Sequence, residues 1–332
     1  MGDKMIRIGL IGAGSIAMKH AEAVRKNRKA TLSAVYSTNK LFAKNLNVKT
    51  YTSFSDFLDA VDAVIIANRN NEHVDYALKS ILAGKHVLIE KPLAASLEDA
   101  ERLLKIKKNV VVRVVSQHRL DDSILKAKKL VTEGKIGKPI MASVSLKWHR
   151  DQAYYDSSGG WRKSKKIAGG GVLIQQAVHF IDILQWILGD VDSVQSKIAT
   201  LNHTINVEDT ALAILNFKNG ALGVVEATTN AIKPLPDKIE IHGTKGSLII
   251  SGRKIIKYNF SQNPLKCLIS SKLMSLRRSR YGTLEKQFKL FINEIHGKEK
   301  NNPISSFYEG FNVMKTIDAL YRSAKEDKEI KL

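Results

Sequence analysis

A glycine-rich turn near the start of the chain lies between an apolar run and an amphipathic segment. Residues 6–11 are almost all apolar, as in a buried strand, and residues 15–25 have the periodicity of a helix. Between them, Gly12, Gly14 and Ala17 fit the pattern G-x-G-x-x-G/A. Such glycines allow a tight turn, and the helix N-terminus that follows attracts a pyrophosphate. The sequence therefore predicts a dinucleotide-binding site at Gly12, Gly14, Ser15, Ile16 and Ala17.

Short apolar runs continue to alternate with amphipathic segments through the first 120 residues. Such alternation is typical of a parallel sheet covered by helices on both faces. Beyond residue 120 the pattern changes, and residues 191–258 read as strands separated by turns. We therefore predict an α/β protein with a doubly wound dinucleotide-binding domain over 1–120. An α+β domain with a large, mostly antiparallel open sheet is predicted over 121–332, and its last helix is a candidate to pack back on the first domain.

The composition is that of a globular chain. Of 332 residues, 44% are hydrophobic and 26% are charged, which excludes a disordered chain, a collagen and a disulfide scaffold. The single cysteine, Cys267, cannot form an internal disulfide or a cysteine metal cluster, so no metal site is predicted. The apolar stretch 172–188 contains several polar residues and is a poor membrane span. The charged N-terminus does not resemble a signal peptide, and we expect a cytoplasmic protein.

The net charge is strongly positive. Lysine and arginine number 53 against 32 acidic residues, which gives +21. Such a balance fits a nucleic acid, an anionic membrane or an anionic metabolite as partner. Only residues 277–280 form a dense basic cluster, and no nucleic-acid-reading motif accompanies it. We therefore favour the interpretation that lysine is spread over a solvated surface as a habit of composition, with nucleic acid and membrane not expected as partners. An anionic ligand is compatible with the charge.

The cofactor preference depends on the end of the second predicted strand. An NAD enzyme carries an acidic residue about 20 positions after the glycine turn, where it binds the ribose. Residues 35–40 contain no acid. Ser37 and Thr38 can instead donate hydrogen bonds to a phosphate, and Lys40 can neutralise it. The sequence therefore favours NADP over NAD, with both retained as candidates.

A second motif covers residues 84–92 and ends in Glu90, Lys91 and Pro92. Lys91 is predicted to stand at the carboxyl end of a parallel strand, where doubly wound folds bind ligands. The alternative is an ordinary surface lysine. Pro92 stiffens the turn, and we expect that the bond before it is cis.

A third motif covers residues 169–182. Three glycines indicate that the backbone approaches something closely, and an apolar helix follows. Gln175 and His179 are four residues apart and Asp182 follows three later, so all three share one helix face. They are predicted to line a site, although a histidine on an apolar helix is often a satisfied core residue.

Together these three motifs resemble the glucose-fructose oxidoreductase, inositol dehydrogenase and rhizopine catabolism (Gfo/Idh/MocA) family. The resemblance spans essentially the whole chain and includes residues 117–119 and 243–247. It implies a Rossmann domain and a second domain whose open sheet forms the interface of a homodimer or homotetramer. It also implies NAD(P)-dependent oxidation or reduction of a secondary alcohol in a sugar or cyclitol. Lys91 and His179 match the family's catalytic residues, whereas Gln175 stands where many members have Asp.

Residues 148–155 and 160–162 resemble a subgroup that includes UDP-N-acetylglucosaminuronate 3-dehydrogenases. A nucleotide-sugar with diphosphate and carboxylate groups would suit Arg150 and Arg162. The alternative is that the aromatic residues here only pack. The predicted substrate contacts are Lys91, Gln117, Arg119, Trp148, Arg150, Tyr155, Trp161, Arg162, Gln175 and His179. Further predicted cofactor contacts are Ser37, Thr38, Lys40, Asn68, Arg69, His73, Glu90 and Lys91.

In the expected mechanism, a sugar hydroxyl loses its proton to His179 while Lys91 stabilises the developing negative charge. The two roles can be exchanged. A second hypothesis is a non-catalytic protein of the same fold that senses NAD(P), for which Gln175 and Arg69 leave room. Residues 260–282 fit no pattern that we recognise.

Overall fold

The computed structural model describes residues 4–37, 44–107, 109–259, 282–299 and 302–332. Thr38, Lys40 and the segment 260–282 apart from Gly282 lie outside the described residues. The chain divides into two compact units, Met1–Leu120 with Tyr281–Phe311 and Asp121–Arg280 with Asn312–Leu332. The predicted division into 1–120 and 121–332 differs from these units because residues 281–311 belong to the first one.

The bounds of the elements are as follows. The strands are β1 (Ile6–Ile11), β2 (Ala30–Tyr36), β3 (Lys49–Tyr51), β4 (Ala63–Ile66), β5 (His86–Ile89), β6 (Val112–Val114), β7 (Pro139–Lys147), β8 (Val191–Ala199), β9 (Thr210–Phe217), β10 (Leu222–Thr228), β11 (Lys238–Gly243), β12 (Gly246–Ser251), β13 (Lys254–Asn259) and β14 (Ile330–Lys331). The α-helices are α1 (Ser15–Arg25), α2 (Phe54–Asp59), α3 (His73–Leu82), α4 (Leu97–Leu104), α5 (Asp122–Thr132), α6 (Gln152–Asp156), α7 (Lys165–Ala168), α8 (Val178–Leu188), α9 (Thr283–Ile295) and α10 (Phe307–Glu326).

The first unit is built on a parallel sheet, six-stranded over the described residues, in the order β3-β2-β1-β4-β5-β6. Strands β1, β4 and β5 are almost wholly buried because helices cover both faces, as their continuous apolar runs predicted. From β1 the chain moves outward to β2 and β3 and then crosses to β4 on the other side. The strand order therefore reverses between β1 and β4, which is where doubly wound sheets bind ligands.

Helix α9 explains why a segment so late in the chain belongs to the first unit. Its residues Phe288, Phe291 and Ile292 are buried in one cluster with β1, β2 and α1. Their spacing of three and four places them on one face of the helix. Burying a large apolar side chain stabilises a fold by about 1.5–3 kcal/mol, so these three residues hold α9 against the first sheet.

The second unit contains a mixed sheet, eight-stranded over the described residues, in the order β13-β12-β11-β7-β10-β9-β8-β14. Only the β7–β10 pair is parallel among the described pairings, and the others are antiparallel. The predicted α/β architecture with a mostly antiparallel second sheet is thus confirmed. On β7, the alternate residues Ala142, Val144 and Leu146 are buried, so one face of the sheet packs on the core.

One apolar helical stretch, Lys165–Leu188, is long enough to cross a membrane, with a hydropathy of 1.4. However, 89% of the most apolar 18-residue segment of this stretch is buried inside the protein, as in a core helix. The stretch is not a uniform α-helix, because residues Leu173–Ala177 form a π-helical turn between α7 and α8. Such turns are rare and often stand at functional sites.

Candidate functional site

The carboxyl ends of the parallel strands are in register. Ile11 pairs with Ile66, Ile66 pairs with Ile89, and Ile89 pairs with Val114. The residues that follow these strands therefore lie along one edge of the first sheet. They include the predicted site residues Gly12, Asn68, Arg69, Glu90, Lys91 and Gln117, and Ser37 follows β2 at the same edge.

The glycine turn fits a pyrophosphate group. Gly12 has a φ of +99°, and a Cβ atom there would lie 2.7 Å from the carbonyl oxygen of Ala67. A Cβ atom on Gly14 would meet nothing within 4 Å, and both Gly14 and Ser15 are exposed. Among the described residues no side chain caps α1, and the first turn of the helix holds no acidic residue. The N-terminus of α1 is therefore open toward an anion, whereas Ile16 is half-buried and Ala17 is buried in the core.

A buried carboxylate supports Lys91. The Glu90 side chain is held between His20 of α1, whose Nε2 lies 2.7 Å from Oε1, and the backbone N–H of Lys91, which donates to Oε2 at 3.0 Å. Burial alone would raise the pKa of Glu90, but the His20 hydrogen bond and the charges of His20 and Lys91 lower that pKa below its usual range. The Lys91-Pro92 bond is cis, as the sequence led us to expect. Glu90 thus connects the glycine-turn helix with the lysine.

Sequence reasoning missed His20. The residue is buried on the apolar face of α1, beside Ala17 and Ala21. A polar residue at a position where helical periodicity demands an apolar one is the signal that could have identified it.

The prediction that His73 contacts the cofactor does not fit its placement. The ring is fully buried, and Nδ1 lies 2.8 Å from the carbonyl oxygen of Pro92. Burial lowers the pKa of His73, so the neutral ring donates this hydrogen bond. His73 therefore braces the turn that carries Lys91. Its neighbour Asn68 is more accessible, donates to Glu72 at 2.8 Å and has an Oδ1 atom that meets no donor among the described residues.

Two predicted site residues, Gln117 and Arg119, follow β6, and the arginine is already paired with a carboxylate of the protein. Arg119 is only 1% exposed, and its guanidinium donates to Glu309 at 2.7 Å. This buried ion pair corrects the prediction that Arg119 binds substrate, because its charge is already neutralised within the unit. Gln117 is half-buried, and its Oε1 atom finds no donor in the described part of the chain. The Oδ1 atom of Asn68 and the Oε1 atom of Gln117 are thus two buried acceptors at this edge without a donor among the described residues.

In the second unit, the amide of Gln175 is committed to the backbone. Its Nε2 atom donates to the carbonyl oxygens of Arg162 at 2.8 Å and Gly170 at 2.7 Å. A carboxylate at this position would face two carbonyl oxygens and repel both. The local backbone therefore favours an amide at position 175, where many members of the family that the sequence resembles have Asp. Gln175 joins the segment that carries Arg162 to the helix that carries His179.

His179 and Asp182 lie on α8, directly after the π-turn, and both are largely buried. The predicted polar face of Gln175, His179 and Asp182 is thus buried in the second unit and is not part of its exposed surface. Lys91 and His179 belong to different units. No group of three metal-ligating side chains occurs among the described residues.

Two arginines stack on aromatic rings in the second unit. The guanidinium carbons of Arg150 and Arg162 each lie 4.9 Å from the centroid of the Tyr154 ring. Arg150 also lies 5.2 Å from Trp148, and Arg162 lies 4.7 Å from Trp161. Within the described residues neither arginine forms an ion pair: Arg150 donates to the carbonyl oxygen of His149 at 2.9 Å, and Arg162 donates to the hydroxyl of Ser157 at 3.2 Å. The stack therefore holds two positive charges ready for an anion.

Tyr154, not the predicted Tyr155, is the tyrosine of this stack. Tyr155 is 1% exposed, and its hydroxyl lies 2.9 Å from that of Thr229. Burial raises its pKa to about 12, so the phenol is neutral. The prediction that Tyr155 contacts substrate is corrected for this reason. Helix α6 has only five residues, too few for periodicity to show which of its two tyrosines is buried.

The chain matches known families over both units. Residues 6–118 match the oxidoreductase family with an NAD-binding Rossmann fold, and residues 124–249 match the GFO/IDH/MocA C-terminal domain. The chain is 32% identical over 272 residues to 1,5-anhydro-D-fructose reductase of Ensifer adhaerens, which covers 76% of this chain and 77% of that protein. It is 29% identical over 264 residues to myo-inositol 2-dehydrogenase of Thermotoga maritima, which covers 73% and 74% of the two chains.

A similar solved structure is the WlbA dehydrogenase from Bordetella pertussis in complex with NADH and UDP-GlcNAcA. The TM-score is 0.90 at 30% identity, over 100% of this chain and 99% of that one. The resemblance read from the three motifs is confirmed by these matches. The chain belongs to the GFO/IDH/MocA family of NAD-binding oxidoreductases.

Proposed function

We propose that the protein transfers a hydride between a nicotinamide dinucleotide and a secondary alcohol of an anionic sugar. The observation that carries the proposal is the carboxyl edge of the first sheet, where the open N-terminus of α1 stands with the Lys91 turn. A bound nicotinamide dinucleotide supplies the acceptor or donor of the hydride. Its pyrophosphate is expected at Gly14 and Ser15.

The protein's own residues manage the proton of the alcohol. His179 is the proposed general base, since an imidazole takes up and returns a proton near neutral pH. Lys91 is proposed to donate a hydrogen bond to the same oxygen and to stabilise its developing negative charge. The roles can be exchanged, because a partly desolvated lysine also serves as a base. Glu90 and His73 are proposed to hold the lysine's turn in place.

The substrate is proposed to be a nucleotide-sugar, with the C3 hydroxyl of a UDP-N-acetyl-hexosaminuronate as the specific candidate. The two guanidiniums on Tyr154 support an anionic substrate, because a diphosphate or a carboxylate matches their donors. The WlbA dehydrogenase, similar over the whole chain, was solved with UDP-GlcNAcA. The absence of an acid in residues 35–40 supports NADP as the preferred cofactor, whereas the NADH in WlbA supports NAD as an alternative.

The test is turnover with defined substrates. The purified protein is mixed with NAD or NADP and with inositol, free hexoses, hexose phosphates or UDP-hexosaminuronates, and absorbance at 340 nm is followed. We expect the largest rate with a UDP-linked uronate and with NADP. Turnover of neutral sugars only would contradict the anionic substrate. Dinucleotide binding without turnover of any sugar would instead favour the second hypothesis, a non-catalytic protein that senses NAD(P).

Variants of the arginine stack sharpen this test. Arg150→Ala and Arg162→Ala should each raise KM for the anionic sugar by about 10- to 100-fold, because each loses charge-assisted hydrogen bonds. The dissociation constant of the dinucleotide should stay within twofold. Arg322→Ala, at an exposed position of α10, is the control.

We also propose that two copies associate through the open face of the second sheet. Leu212, Ile214 and Leu222 are exposed there, and Val224 lies between Ile214 and Ser143 in the strand register. Contiguous apolar residues of this kind mark interfaces.

A cytoplasmic location, suggested by the single cysteine, remains part of the proposal.

Leu212→Glu should split this assembly. The side chain is 56% exposed and lies opposite Glu226, so the charge costs one copy a few tenths of a kcal/mol, about what a like-charge pair costs, whereas between two copies it would be buried. Light scattering after size exclusion should show a dimer or tetramer for the wild type and a monomer for the variant. Leu201→Glu, in an exposed loop of the same unit, should leave the mass unchanged. A monomeric wild type would refute the interface.

A further inference from the structure

The glycines before the π-turn are required by the close approach of two residues of the second unit. A Cβ atom on Gly171 would overlap the backbone of Glu208, and one on Gly170 would overlap the hydroxyl of Tyr321. The close approach that the sequence predicted for this motif is therefore an approach to Glu208 and Tyr321. Both lie far from the glycines in sequence, and neither was among the predicted site residues.

Glu208 binds three consecutive N–H groups at the start of the π-turn. Its carboxylate accepts from Gly171 at 2.8 Å and from Leu173 at 2.9 Å, and its own carbonyl oxygen accepts from Val172 at 2.8 Å. Helix N-termini leave such groups without partners inside the helix. Glu208 alone thus accepts the hydrogen bonds of the backbone N–H groups at the start of the helical stretch that carries Gln175 and His179.

Tyr321 holds the carboxylate from the other side. Its hydroxyl donates to Oε1 of Glu208 at 2.8 Å, the same oxygen that accepts from Leu173. These three partners of the carboxylate, the N–H groups of Gly171 and Leu173 and the hydroxyl of Tyr321, are all donors, which suits the ionised form. Burial raises the pKa of Glu208, and these hydrogen bonds act against that rise. Burial also raises the pKa of Tyr321 well above its ordinary value, so the phenol keeps the proton it donates.

The consequence is a fixed register for the residues that follow. The N–H of Gln175 donates to the carbonyl oxygen of Gly171 at 2.9 Å, so the turn is anchored on a residue that Glu208 itself holds. The π-turn ends at Ala177, and His179 is the second residue of α8. A change of one hydrogen-bond step in the π-turn would rotate the side chains after it around the helix axis.

We infer that Glu208 is a positioning residue, which with Tyr321 fixes the π-turn and thereby the direction of the His179 imidazole. The inference rests on the proposed function only in that His179 is given a catalytic role there. Glu208 does not touch the reacting atoms in this proposal. It acts through the backbone of residues 171–175.

The test compares Glu208→Gln and Tyr321→Phe with Glu133→Gln. The amide keeps the size of the side chain but turns one acceptor into a donor that faces an N–H group. Tyr321→Phe removes one hydrogen bond and keeps the ring. Glu133→Gln makes the same chemical change at an exposed position of the same unit. We expect kcat to fall 10- to 100-fold in Glu208→Gln and 3- to 10-fold in Tyr321→Phe, with the dinucleotide dissociation constant within twofold of wild type.

A second measurement does not depend on turnover. The imidazole signals of His179 in ¹⁵N-histidine NMR, assigned with His179→Asn, should shift in Glu208→Gln and Tyr321→Phe but not in Glu133→Gln. Should the two variants lower only the melting temperature, with unchanged kcat and unchanged His179 signals, Glu208 is structural and the inference is wrong. Should the wild type turn over no sugar, the proposed function fails, and the NMR shifts alone decide whether Glu208 positions the imidazole. If Glu208→Gln does not fold, Tyr321→Phe decides both measurements.

Discussion

Replacing Lys91 or His179 by alanine is expected to lower kcat about 10³-fold with the preferred sugar, while the dissociation constant of the dinucleotide changes less than threefold. General acid–base groups and preorganised donors each contribute about 10²- to 10⁴-fold to a rate. Both side chains are proposed to act on one substrate oxygen, so the double variant should be little slower than either single one. Pre-steady-state absorbance at 340 nm, which follows the reduced nicotinamide, measures the rate of hydride transfer directly.

Matched controls separate chemistry from folding. Lys85→Ala changes a lysine just before β5, at the end of the strand opposite to Lys91, and should leave kcat within twofold. His242→Ala, on β11 of the second unit, serves the same purpose for His179. If the Lys91 and His179 variants both kept the wild-type kcat, the proposed proton transfer would be wrong. The dinucleotide site at the glycine turn would be unaffected by that result.

The fold could be predicted largely because local patterns determine it. The continuous apolar runs of β1, β4 and β5 indicated a sheet buried on both faces, and the glycine turn indicated where its ligand edge lies. The assignment of α9 could not be predicted in this way. Periodicity shows that Phe288 and Phe291 share a face, but it carries no information on which of two cores that face joins.

Parts of the site were unpredictable for a similar reason. Arg119 pairs with Glu309, which is 190 residues away, so its charge seemed available when the sequence was considered alone. The glycines at 170 and 171 gave a correct signal of close approach, but the approaching residues come from β-rich sequence and from the last helix. His20 was hidden because its partner Glu90 is 70 residues distant. Motifs identify positions that need partners, and only the fold supplies those partners.

Gln175→Glu is expected to destabilise the protein by about 3 kcal/mol at neutral pH, which lowers the melting temperature by roughly 6–12 °C. The wild-type amide donates to the carbonyl oxygens of Arg162 and Gly170 from a buried position. The ionised variant has no proton for either oxygen, and its charge would be buried against two partial negative charges. The neutral variant could satisfy only one of them.

The loss of stability should depend on pH. The introduced carboxyl group should have a folded-state pKa above its unfolded value of about 4.3, so the folded state binds more protons than the unfolded state. Stability therefore falls as pH rises through this interval, and the deficit relative to wild type should be complete near pH 8 and smaller near pH 4, where one carbonyl oxygen still lacks its donor. Calorimetry at both pH values measures it. Asn312→Asp, an amide-to-carboxyl change at an exposed position of α10 away from the proposed interface, should show no deficit at either pH. A deficit in Gln175→Glu that is equal at pH 4 and pH 8 would mean that packing, and not the two carbonyl oxygens, requires the amide.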